Sequence, residues 1–349
     1  MVKLLANWKQ KALVVGWFGA IVLAFMHINK PADLPPPPVG WTIWQEPGPT
    51  RAIAVTPDGV YAGGSRGLFL LKEDGTAVTV SIPESKGTVF INALLLDHNN
   101  SLWVAHNQGL SIRAGSEWKT LSEVDGLPYH QIASIVATKK GFVWLGTAMG
   151  AVGIPADGPW NKSTISTLTT QDGLLHDTVR PIVEDNEGGL WFGNYAAPAG
   201  GLNRLSKGKW EHWTTKAGLP HPNVTSLMVA NDGRVWAGCG LFDKGGAAVF
   251  KSVAGKWQLE YTIPGEELAG PKVRSLYQDR HGRVWLGSEN NGLAVRFRDE
   301  TICMLTPKDG LPDWEVMMIT EMEDGTMWLG TQGGVLRIAQ EAIATLFAK

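Results

Sequence analysis

A short stretch ending in Trp-x-Gly, or a near variant of it, returns seven times along the chain, each time after a tight turn. The anchors are Tyr61, Trp103, Trp144, Trp191, Trp236, Trp285 and Trp328, separated by 42, 41, 47, 45, 49 and 43 residues. A period in the forties, with several short strand patterns per repeat, matches four-stranded propeller blades and not helical solenoids or leucine-rich horseshoes. The pattern predicts an all-β, seven-bladed β-propeller. All seven repeats belong to one ring, so the 349-residue chain holds one large folded unit, preceded by a separate N-terminal stretch.

The repeat near Val273 shows the plan. Strands are expected over 273–277, 283–286, 292–297 and 301–305, which is an antiparallel meander. The turn glycines, Gly282 among them, supply the positive φ that other residues tolerate poorly. Their partners Asp58, Asp185, Asp232, Asp279 and Asp324 are expected to bond the turn backbone, a structural role. The anchor tryptophans are expected to wedge between neighbouring blades. Gly40-Trp41-Thr42-Ile43-Trp44 resembles the outer strands at 208–213 and 255–257, yet it precedes the first repeat, while the last repeat has no Trp-bearing fourth strand. Residues 40–46 should therefore close the last blade and leave no open seam. The tail beyond Ala339 has the look of a short helix.

A formal net charge of -2 and a sequence pI near 6.5 provide no basic footprint, so nucleic acid is not an expected partner. Cys239 and Cys303 fall in different repeats with no metal-ligand or disulfide spacing, and a packing role suits both.

Residues 12–28 form an uncharged run preceded by Lys3, Lys9 and Lys11. Its 17 residues reach the lower edge of a bilayer span. A cleaved secretory signal would share the basic start and apolar core, but no Ala-x-Ala site follows, which favours an uncleaved transmembrane helix. The expected order is a cytoplasmic tail at 1–11, the anchor at 12–28, a Pro-rich linker at 29–39 and the propeller from 40 to 349, on the far side of the membrane.

When the repeats are aligned on their first strands, the residue after the opening one reads Arg51, Asn92, Ala133, Arg180, Thr225, Arg274 and Met317. First strands line a propeller's channel, so three arginines should share one space, with Asn92 beside them. Guanidinium groups there suit a carboxylate, sulfate or phosphate, although pairing of each with a local acid or carbonyl would also account for them. Loops on the same face carry Arg66, His106, Asn107, Tyr195, Asp243, Lys244, Glu289, Asn290, Asn291 and Gln332. Inter-blade loops add Tyr129, His130, His176, His221 and Trp314. These suit a small polar ligand or an oligosaccharide as well as a solvated rim. The three histidines sit on separate blades and out of register, which speaks against a metal site, and no cofactor is expected.

The stretches Asp309-Gly310-Leu311-Pro312, Glu323 to Thr331 and Gly333 to Ile338 resemble the two-component regulator propeller repeat, as do Asp172-Gly173-Leu174, Leu190-Trp191-Phe192-Gly193 and Gly200 to Leu205. The resemblance covers residues 41 to about 339. It implies an extracytoplasmic bacterial sensor domain on the cytoplasmic membrane that acts through a protein signalling partner. Streptogramin lyases and some polysaccharide lyases look similar in their repeats, which opens a second reading with His176 or His221 as base and Glu289 holding a cation. A scaffold for protein assembly is the third.

Overall fold

The computed structural model describes residues 35–347 apart from Glu84, Thr88 and His130. Among them are seven four-stranded antiparallel sheets. Blade 1 covers residues 50–80, blade 2 91–121, blade 3 132–168, blade 4 179–213, blade 5 224–264 and blade 6 273–305. Blade 7 takes three strands from residues 316–338 and a fourth from Trp41–Trp44. That last strand pairs with Gly334–Ile338, Trp41 opposite Ile338 and Trp44 opposite Val335. First strands of successive blades lie side by side around the ring, blade 7 against blade 1 included, so these strands form the innermost wall.

Three features of the repeat produce this packing. Each hydrophobic cluster draws residues from two neighbouring blades: Trp103 packs with Val143, Leu145 and Ile154 of blade 3, and Trp191 with Val235, Phe250 and Trp257 of blade 5. The anchor rings thus fill the wedges between sheets, with Trp191 centred 5.0 Å from Trp213 and 4.9 Å from Trp257. The glycine of Trp-x-Gly marks the closest approach between blades. A Cβ on Gly287 would collide with the Val316 carbonyl and the Ser275 hydroxyl, and one on Gly193 would meet the Val224 side chain.

The turn aspartates supply the third feature. Asp185 accepts the amides of Glu187 and Gly189 through Oδ1 and the Trp191 indole through Oδ2 at 2.7 Å. Asp279 does the same for His281, Arg283 and Trp285. One buried carboxylate therefore fastens both the turn and the anchor. Asp97, which the turn pattern passes over, holds Trp103 in this way in blade 2. Asp232 accepts the Arg234 amide and lies 3.6 Å from the Arg234 guanidinium, and Asp324 accepts the Thr326 amide. Asp58 departs from expectation, since its carboxylate meets Arg113 at 3.3 Å.

A helix, Gln340–Leu346, follows blade 7, and Phe347 beyond it packs edge-on against Trp285 and Phe297. Among the described residues no helix is long and apolar enough to cross a membrane. The span expected at 12–28 lies outside the described residues.

Candidate functional site

Every first strand is interrupted at its second position. In blade 1 Thr50 pairs with Gly64 and Ala52 with Gly63, so Arg51 is the extra residue of a bulge. The same irregularity falls at Asn92, Ala133, Thr225, Arg274 and Met317, and across Arg180 and Pro181 in blade 4. A bulge frees a residue from the alternation of the pleat and re-aims its side chain. Here it aims seven equivalent residues at one place: all of them line a cavity of about 400 Å³ at the channel mouth, with Tyr129, Gln131 and Thr178 from the inter-blade loops.

The three arginines differ in their company. Arg274 Nη2 lies 2.8 Å from Glu315 Oε1. Arg180 stacks on Tyr195, its guanidinium carbon 3.8 Å from the ring centroid. Arg51 is exposed and has no hydrogen bond or ion pair through its side chain among the described residues. Burial moves the Arg180 pKa below its ordinary value; Tyr195 opposes the shift, while the charges of Arg274 and Arg51 add to it. The three cations therefore feel one another across the cavity, with one carboxylate among them.

The remaining rim residues do not gather there. Asn290, Asn291 and Gln332 join Glu289, Asp313, Trp314 and Glu315 around a second cavity of about 490 Å³ between blades 6 and 7. Asp243 and Lys244 line a third, with Pro220 and Pro264. Arg66 donates to the carbonyls of Gln45 and Glu46 at 3.3 Å and so secures the segment that follows the closure strand. Asn107 caps the Phe90 amide.

His106 ends its blade's second strand and is buried, not on the open rim. Its Nδ1 accepts the Gln108 amide and its Nε2 faces Ser111 Oγ at 2.9 Å. Burial lowers its pKa to about 4, so the ring is neutral at physiological pH. His176 and His221 each accept, through Nδ1, the amide two residues on, and Asp313 does the same for Glu315 in blade 7. The inter-blade histidines thus hold a loop conformation that another residue type holds elsewhere. His130 lies outside the described residues. No group of three metal-ligating side chains occurs among the described residues.

Residues 267–290 match the family described as two component regulator propeller. The chain carries a two-component regulator propeller repeat. The matched repeat contains both Arg274 and Trp285. No curated protein matches the chain in sequence. Among solved structures it is similar to the extracellular domain of a hybrid two-component system from B. thetaiotaomicron, with 17% identity, a TM-score of 0.74, and coverage of 90% of this chain and 42% of that one. A second is the extracellular domain of a one-component system from the same organism, with 18% identity, a TM-score of 0.65, and 85% and 39% coverage. This chain therefore spans about two fifths of the length of those domains. Virginiamycin B lyase from Staphylococcus aureus is also similar, with 13% identity, a TM-score of 0.65, and 85% and 97% coverage. At these identities the likeness is one of fold.

The alignment of first strands reached the arginines but not Glu315 or Lys272. Both stand two residues before the channel position of their repeats, where other blades have Pro49, Phe90, Gln131, Thr178 and Asn223. Charges at that offset were the available signal.

Proposed function

We propose that the propeller is a binding module that takes a small anionic ligand at its channel mouth and reports it through a protein partner. Residues 12–28 tether it to the bacterial cytoplasmic membrane, with the propeller on the outer side. The observation that carries the reading is the imbalance of charge in the cavity: Arg51, Arg180 and Arg274 face it, and Glu315 neutralises one of them. Burial lowers the Arg180 pKa and the neighbouring arginines add to that shift; a bound carboxylate, sulfate or phosphate would offset both effects. The similarity in fold to extracellular domains of two-component systems agrees with sensing, and the two lyase roles have no support in the placement of His176 and His221.

Titration calorimetry of the full chain with sulfate and with small carboxylates tests this. Binding is expected to weaken by about tenfold or more in Arg180→Ala, the loss of one charge-assisted contact. Undiminished affinity in both Arg180→Ala and Arg51→Ala would reject the site.

A further inference from the structure

The channel mouth and the cavity between blades 6 and 7 are joined by one ion pair, and a second pair borders the outer cavity beside it. Glu315 lines the outer cavity, while its Oε1 reaches Arg274 at 2.8 Å. Glu289 lines the same cavity and bonds Lys272 Nζ at 2.5 Å. Lys272 Nζ in turn stands 5.8 Å from the Tyr195 ring centroid, the ring on which Arg180 stacks. Each pair has its cation toward the channel side and its carboxylate toward the outer cavity.

Charge is thus separated across the mouth. Arg51, Arg180 and Arg274 lie over the axis, and Glu289, Asp313 and Glu315 lie outward, with no cation lining the outer cavity. In that cavity Trp314 is 43% exposed, and its ring stacks on no other ring and no cation among the described residues. Its backbone is nonetheless fixed. The Trp314 carbonyl accepts the Gly292 amide of blade 6 at 2.7 Å, and the Glu315 carbonyl accepts the Gln332 amide of blade 7 at 3.2 Å. An open indole held beside Asp313, with the carboxylate ends of the two ion pairs turned toward the same cavity, suits a cation, which the ring face attracts and Asp313 reinforces.

We infer that the ligand is dipolar: an anionic group seated among the arginines and an ammonium group, separated from it by a short chain, seated on Trp314. This rests on the anion site proposed above and adds the second subsite. The fixed dipole of the mouth orients such a molecule in one direction only, and a simple anion gains nothing from the outer cavity.

Calorimetry of the full chain with matched probes decides the matter. γ-Aminobutyrate is compared with butyrate, and ε-aminocaproate with caproate, so that each pair differs in the ammonium group alone. At least one amino acid is expected to bind about fivefold or more tightly than its plain carboxylate. Trp314→Ala and Asp313→Asn, the latter keeping the acceptor for the Glu315 amide, should abolish that gain and leave carboxylate affinity in place. Arg180→Ala should weaken both members of a pair. If the amine brings no gain at either chain length, or if the gain survives both outer-cavity substitutions, the dipolar inference is overturned while the anion site stands. If the carboxylates and sulfate all fail to bind, the anion site falls and this inference with it.

Discussion

His106 occupies the strand-end position that Thr147 and Thr331 hold in blades 3 and 7, where a hydroxyl bonds the carbonyl of the third strand's first residue. Burial in that place penalises the charged imidazolium, which is why its pKa falls to about 4 from an ordinary value of 6.5. The unfolded chain takes up a proton at higher pH than the folded one. Stability from this group is complete above about 6.5 and is lost as the pH falls toward 4, by up to about 3 kcal/mol. Denaturant unfolding measured across that interval should show this slope, and His106→Thr should flatten it. Asp185 and Asp279 are wholly buried and are satisfied by indole, amide and guanidinium hydrogens.

The Trp41–Trp44 strand is the element on which closure depends. Trp44 is buried and stacks on Trp328 with centroids 5.1 Å apart, inside a cluster that also holds Ile53, Val60 and Phe69 of blade 1. Trp44→Ala should cost about 3–5 kcal/mol, the usual range for deleting a large buried ring, and should lower the guanidinium unfolding midpoint accordingly. Trp44→Phe should cost much less. It keeps most of the stack and removes an indole N–H that is buried without a partner. This element was legible because Gly40 to Trp44 repeats the outer-strand pattern of Gly208 to Trp213 in an otherwise unexplained place. Its ladder shows in full only in the structure, as do the bulges of the first strands, because hydrogen-bond register leaves no mark in residue type. The displaced role of Asp58 was likewise hidden. It sits three residues before Tyr61, while the fastening carboxylates sit six before their tryptophans.

At the scale of the whole molecule, the net charge of -2 conceals a positive axis. Overall composition excludes a nucleic-acid footprint but says nothing about a local field. Anion binding at the channel mouth should therefore weaken on passing from low to high ionic strength, read as a rising Kd for sulfate, even though the protein as a whole is anionic. Aligning equivalent positions of the repeats made the arginines visible together, since propeller geometry converts sequence register into proximity. The pairing of Arg274 with Glu315 was not visible, because it joins an inter-blade loop to the neighbouring blade's bulge.

Blade 7 has a further consequence for how the ring is made. Trp41 leaves the ribosome long before Ile338, its partner across the ladder, so that ladder can form only after the rest of the ring has been synthesised. The loop that presents Trp314 and Glu315 precedes that same sheet. Gln332, between the second and third strands of that sheet, completes the outer cavity, so part of the mouth is built on the very sheet that the clasp fastens.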